Sequence, residues 1–438
     1  MATYYLNSAA AGSGTGADWT NAFTTYTAAL AAATASGDVI KVHKTHTEEL
    51  EVNTTYTHQN HIAVICVDKD AADALATMGT AAWIGNSTVN RNITFAGAFR
   101  YFFYGVTFRT AGTTAAHLFT SASDGAHSVF ESCYLWLGST NSGSIIGVGS
   151  NDLQAFTEFK NTTLRFGHAA QTLAVSGRCQ MDGGSISSSG TANTSFVSFL
   201  VTDSTGSEFE AIGADLSFLG SNNLVANSTS AAGTAKFAQC TLGTGYAMLA
   251  TQTNLNRSSA ECWVFDCASG DTHGLFGYAN AMGSVVSDTG IYFTAGAAAQ
   301  SWKIVTTANC NFYTPFETPM FGYYNSTLSA ITPYVEILRD GSATAYQDDE
   351  AWVEFFAKTT TGFTQSTLYT DRMTILGTPA NQAAGAGLGS WTGESGTAWS
   401  GKLGLGASIT PAEVGHISAR IVVGAPSVTV YADPQIRT

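Results

Sequence analysis

Between residues 103 and 268 short runs of alternating apolar and polar residues keep returning in one form, an aromatic or Met residue followed three and five positions later by small or apolar residues. The form appears as Phe103-Tyr104-Gly105-Val106-Thr107-Phe108 and as Phe130-Glu131-Ser132-Cys133-Tyr134-Leu135. It recurs from Phe159 to Leu164, from Met181 to Ile186 and from Phe237 to Leu242, with looser copies at Phe209 and Phe265. The lead positions step by 27 (103 to 130), 29 (130 to 159), 22 (159 to 181) and then 28 three times. A second ladder lies between the copies at Leu118, Ile146, Leu173, Leu200, Leu224, Leu249 and Leu275, with steps of 24 to 28. A fixed period of roughly 20–50 residues marks a stacked array. Alternation rich in Phe, Val, Ile, Thr and Tyr, separated by Gly, Ser, Asn and Asp, selects strands over helices. The pattern predicts a parallel β-helix in which Phe stacks on Phe and Leu on Leu.

The flanks read differently. After a short strand and a Gly/Ser/Ala arm, Phe23, Tyr26, Leu30 and Ala33 fall at helical spacing. Asp18 or Thr20 is available as N-cap and Gly37 as terminator, which predicts an amphipathic helix over residues 21–35. Such a helix suits the open end of a coil, whose interior and strand edges need covering. Less regular rungs occupy 44–100, with strands near 61–67 and 93–99, and a ragged tail with strands near 291–294 and 302–305 runs to Pro315 and Pro319. Beyond Pro333 the strands at 334–338, 351–357, 366–369, 402–405, 416–423 and 427–431 are irregularly spaced, with long Gly/Ser/Thr-rich loops as at 377–401. That texture predicts an antiparallel β-sandwich. The expected organisation is an arm and capping helix in 1–37, a parallel β-helix in 38–330 and a β-sandwich in 331–438.

Composition narrows the function. The net charge is −14 with 18 Lys and Arg, which argues against nucleic acid and against charge-driven membrane binding. No apolar run approaches the roughly 20 residues of a spanning helix. The opening Met1-Ala2-Thr3-Tyr4-Tyr5-Leu6 lacks the pattern of an export signal. The seven Cys are scattered, and Cys133 and Cys240 share one register of the Phe ladder, so they are expected as free, buried thiols. The Asn-x-Ser/Thr triplets at Asn53 and Asn227 are read as coincidental.

Candidate chemistry is sparse. His43, His46, His58 and His61 fall within nineteen residues, but residues three apart on a strand face opposite sides, so they are read as surface or turn histidines and no metal is expected. Glu208 and Glu210 share one strand face; Asp348, Asp349 and Glu350 adjoin in a loop; Asp203 and Asp215 sit near corners. A glycosidase needs two carboxylates roughly 5–10 Å apart, and each of these groups is read instead as solvated. Lys160, Arg165, Arg178, Lys236 and Arg257 are scattered along the coil. Trp391 and Trp399 are candidates for stacking on glycans, with packing the commoner role. No nucleophile elbow, phosphate loop, Cys-x-x-Cys pair or dinucleotide fingerprint occurs. No catalytic, cofactor-binding or metal residue is therefore assigned, and no cofactor is expected.

Trp19, the Ala-rich stretch 21–35 and Gly37-Asp38-Val39-Ile40-Lys41-Val42 resemble the entry to right-handed β-helix proteins of the pectate-lyase-like superfamily, which includes many bacteriophage tailspike and virion proteins. The resemblance covers about residues 17–320. Val430-Tyr431-Ala432-Asp433-Pro434 resembles the ending of small β-domains in phage structural proteins. The resemblance implies a right-handed coil, a homotrimer and a place in the virion, made in the host cytoplasm. A lyase of this superfamily would carry clustered carboxylates with Arg or Lys beside them, and no such cluster is legible. The expectation is a non-enzymatic capsid decoration or cement protein contacting the major capsid protein or other virion proteins. The alternatives are a tailspike or tail fibre that binds or cleaves host polysaccharide, and a bacterial surface adhesin.

Overall fold

The computed structural model describes residues 1–79, 81–120, 125–149, 155–200, 206–226, 233–250, 260–288, 301–311, 313–324, 326, 328–331, 333–339, 351–359, 362–364, 399–404, 410 and 417–437. The chain forms two compact units, Met1–Leu275 and Phe276–Thr438.

The first unit is a parallel β-solenoid with three faces rather than the two that the ladders suggest. The first sheet stacks Thr3–Leu6, Val39–His43, Ile62–Asp68, Arg100–Tyr104, His127–Glu131, Phe156–Lys160, Arg178–Asp182, Ser207–Ile212, Gly233–Ala238 and Glu261–Ser269, each parallel to the one before. The second runs from Glu48–Glu49 through Thr107–Thr110, Tyr134–Leu137 and Thr163–Phe166 to Thr241–Leu242. The third runs from Thr54–Thr57 to Ala247–Leu249. Among the described residues no helix is long and apolar enough to cross a membrane.

The recurring Phe motif belongs to two sheets at once. Its first residue is the last but one of a strand of the first sheet, and its last lies in the second. The corner between them is a single residue in the left-handed region: Gly105, Ser132, Asn161, Gly183, Gly213, Gln239 and Asp266, with φ between 47° and 67°. One such residue turns the chain sharply and lets the next strand begin at once. The residue after it is buried at every corner but Gly183, where it is another glycine, and four of these side chains satisfy the rung below. Cys133 Sγ donates to the Phe103 carbonyl at 3.5 Å, Thr162 Oγ1 to that of Phe130 at 2.7 Å, Cys240 Sγ to that of Ala211 at 3.5 Å and Cys267 Sγ to that of Phe237 at 3.4 Å. All seven thiols are free and buried, as expected. Burial pushes Cys133 up to about 12, so at neutral pH it stays protonated and serves as a small donor. A non-Gly residue in the left-handed region costs roughly 1–2 kcal/mol, least for Asn. Asn161→Gly should therefore leave the thermal midpoint unchanged or slightly raised, whereas the β-branched Asn161→Val should lower it measurably by calorimetry.

The register fixes the core and corrects the ladders. The inward column of the first sheet is Phe103, Phe130, Phe159, Met181, Ala211, Phe237 and Val264, all at 0% exposure. Phe209 is one inward slot away, beside Cys179 and Ala235. Phe265 is off by one residue, which turns it to the outer face at 38% exposure. In the third sheet Leu173 is followed by Val197, Val225 and Leu249. Leu200 lies outside that column, 40% exposed, Leu224 is adjacent to it, and Leu275 belongs to the strand Thr272–Asn280.

The capping helix expected over 21–35 is a correction. Only Tyr26–Ala32 is helical, capped by Thr25 Oγ1 and ended at Ala33 rather than Gly37. Phe23 is held instead by Tyr5 and Asn7, giving and taking backbone bonds of 2.8 Å, so the chain cannot coil before it. Asp18 caps only a local turn at Asn21. Tyr26 packs edge-on to Tyr56 at 4.6 Å and contacts Phe103 at 6.4 Å, with its hydroxyl 3.0 Å from His58 Nε2.

The second unit is antiparallel. Ser301–Thr306 lies between Gly283–Asp288 and Thr429–Ala432, and the latter pairs with Tyr334–Arg339, then Trp399–Gly404. Ile417–Val423 pairs with Ala351–Thr359, Phe316–Glu317 and Phe321–Tyr323. Tyr278 against Phe316 (6.0 Å) and Trp302 against Phe321 (5.3 Å) join the two sheets. The strand expected near 302–305 as a late rung is thus antiparallel, and the parallel ladders end at Ser269 instead of near residue 330. The strands expected at 291–294 and 366–369 fall outside the described residues.

Candidate functional site

In a strand of period two, every second residue of the first sheet faces outward. Parallel stacking turns those residues into columns. One reads Arg100, His127, Phe156, Arg178, Glu208, Thr234 and Glu261. The next reads Phe102, Val129, Glu158, Gln180, Glu210, Lys236 and Trp263. Between Phe156 and Lys236 the two columns enclose a groove of about 200 Å³.

The groove mixes rings with charge. Arg178 lies over the Phe156 ring at 5.4 Å and pairs with Glu208 at 3.2 Å, both side chains more than half exposed. Below it His127 stacks on Phe156 at 5.0 Å. Arg100 Nε donates to His127 Nδ1 at 3.0 Å, leaving Nε2 3.4 Å from Glu158 Oε1, whose other oxygen takes Lys160 at 3.0 Å. Burial, with Arg100 and Lys160 nearby, holds the His127 imidazole below its ordinary value against the opposing pull of Glu158, so the ring is neutral at pH 7. At the upper end Trp263 and Phe265 stack at 5.6 Å with planes 9° apart. A face of partly exposed rings, carboxylates and cations can stack on sugar rings and hydrogen-bond their hydroxyls.

Of the candidates read from the sequence, Glu208 and Glu210 do share one face and line this groove. Lys160, Arg178 and Lys236 join them on that face, where the sequence left them scattered. Arg165 is elsewhere, on the second sheet, 4.4 Å over the Trp136 ring. Trp136 also receives Arg109 at 3.8 Å. Asp215 Oδ1 caps a turn by accepting from the Ser217 backbone. Trp399 opens the strand Trp399–Gly404. Asp203, Asn227, Arg257, Asp348, Asp349, Glu350 and Trp391 lie outside the described residues.

The four histidines do not converge. His46 Nδ1 accepts from Ser8 N at 2.9 Å and Nε2 faces Glu48 at 3.4 Å. His58 is buried in the core, stacked on Tyr101 at 4.3 Å. His61 Nδ1 accepts from Arg100 N at 3.0 Å. His43 is drawn to Asp68 and Asp70.

No family model matches this chain, and no curated protein is similar to it in sequence. Among solved structures it is similar to the enzymatically active domain of tailspike protein 4 of bacteriophage CBA120, at 7% identity and a TM-score of 0.20, over 94% of this chain and 65% of that one. The chain thus spans less than two thirds of that domain's length. At this score the likeness assigns no function, and the reading rests on the face itself.

His127, Phe156, Glu158 and Trp263 had no signal in the sequence. Each sits on a different rung from Glu208, and uneven rungs hide which residues become neighbours.

Proposed function

We propose that this chain is a polysaccharide-binding β-helix protein of the tailspike kind, and that the glycan lies along the outer face of the first sheet. The observation that carries the reading is the groove between Phe156 and Lys236, where Glu208, Glu210 and Arg178 stand beside aromatic rings. The non-enzymatic reading of the sequence leaned on the lack of a carboxylate–cation cluster on neighbouring rungs, and on this face Arg178, Glu208, Glu210 and Lys236 lie together. A solenoid also gives a polymer what it needs, a long flat surface with a repeat along one axis. Right-handed winding, a homotrimer and a place in the virion belong to the same reading.

The test is binding of the full chain to an array of purified bacterial surface polysaccharides. At least one should bind. Trp263→Ala and Arg178→Ala should each weaken that binding by about tenfold, the equivalent of roughly 1.4 kcal/mol, without a change in thermal midpoint. Binding that both variants leave intact would remove the face from the account. Loss of polymer size on incubation, abolished by Glu208→Gln or Glu210→Gln, would make the protein a depolymerase as well as a binder.

A further inference from the structure

His43 ends the strand Val39–His43 and pairs in register with Val67, one residue before Asp68. Asp68 caps the short turn Lys69–Ala71, its Oδ1 accepting from the Asp70 backbone at 3.1 Å. One ring nitrogen of His43 and one oxygen each from Asp68 and Asp70 lie within 4.8 Å of one another. His43 is only 4% exposed. Its Nδ1 is engaged by Thr45 Oγ1 at 2.7 Å. Its Nε2 is buried with no hydrogen-bond partner. Buried polar atoms are rarely left this way, and an unmet one calls for an explanation such as an ion.

We propose that His43, Asp68 and Asp70 form a binding site for a divalent transition-metal cation of the zinc or cobalt class. His43 Nε2 and one oxygen of each carboxylate are the protein ligands, with water completing the shell. An imidazole with two carboxylates suits these cations better than calcium or magnesium, which take oxygen alone. The Thr45 hydroxyl plays the outer part that metal-bound histidines commonly need, fixing the ring and leaving one lone pair directed at the ion. Two ammonium groups compete for the carboxylates: Lys44 lies 2.5 Å from Asp68 and Lys69 lies 2.7 Å from Asp70. They balance the acidic charge without satisfying the imidazole, so the ion must displace them, and affinity rises when one is removed.

Isothermal titration of the full chain with zinc tests this. One ion per chain is expected for the wild type. Asp70→Ala, at a side chain 70% exposed, should fold normally and lose at least tenfold in affinity. Lys69→Ala should bind several-fold tighter. No binding in either the wild type or Lys69→Ala would overturn the proposal. Equal affinity in Asp70→Ala would also overturn it, by placing the zinc on other histidines.

Discussion

Phe130→Ala should lower the unfolding free energy of the coil by roughly 3–5 kcal/mol, and Phe130→Asp should prevent folding of the first unit. Phe130 is fully buried and lies between Phe103 at 5.0 Å and Phe159 at 5.7 Å, with Phe95 at 5.7 Å across the interior. Truncation would open a cavity that three stacked rungs cannot close by collapsing, because each strand is pinned by hydrogen bonds to the ones above and below. A carboxylate there would have no cation to meet and no route to water. The informative comparison is Phe265→Ala. The period alone makes the two Phe equivalent. The register puts Phe265 outside, against Trp263, so its loss should cost less than about 1 kcal/mol. Urea unfolding of both variants checks the register: equal losses would mean that Phe265 is a rung of the core.

Acid should weaken the same unit through His58. The ring is fully buried, and burial lowers it from 6.5 to about 4 despite backbone acceptors that favour the charged form. In the unfolded chain it titrates at its ordinary value. Between pH 6.5 and 4 the unfolded state therefore binds a proton that the folded state refuses. The contribution is present in full above pH 6.5 and is lost as pH falls towards 4, by roughly 3 kcal/mol in all. Tyr26, whose hydroxyl bonds His58 Nε2, keeps its proton throughout, since burial raises it well above its usual range. In the double variant Tyr26→Phe with His58→Phe, the rings remain and no buried hydroxyl is orphaned. Its stability should fall with pH less steeply than the wild type's by about one proton between pH 6.5 and 5. Parallel slopes would mean that His58 opens to water.

The solenoid was legible because its stacking repeats in the sequence at nearly constant spacing, and period-two alternation placed Phe103, Phe130 and Phe159 inside. The third face was not, because the corner that divides the Phe motif changes residue type from rung to rung, from Gly105 and Gly183 to Ser132 and Gln239, and the last two seldom mark a left-handed turn. Where the rung departs from the 28-residue step, lengthening from Met181 to Ala211 and shortening from Phe237 to Val264, the register passes to those smaller residues and leaves the larger Phe209 and Phe265 out of the column. The helix is shorter than its spacing suggests because helical spacing says nothing of the backbone bonds that bind Phe23 to Tyr5 and Asn7. The pairing of Glu208 with Glu210 on one face follows from strand geometry. Their neighbours do not, since Arg178 reaches Glu208 only through a rung whose length no local motif encodes.

The structure of the full chain with a bound fragment of the polysaccharide it recognises would show where the glycan lies. Sugar rings are expected along the outer face of the first sheet, over Phe156 and towards Trp263, with hydroxyls within hydrogen-bond reach of Arg178, Glu208 or Glu210. A glycan seated on the second or third sheet, or on the unit beyond Leu275, would contradict it.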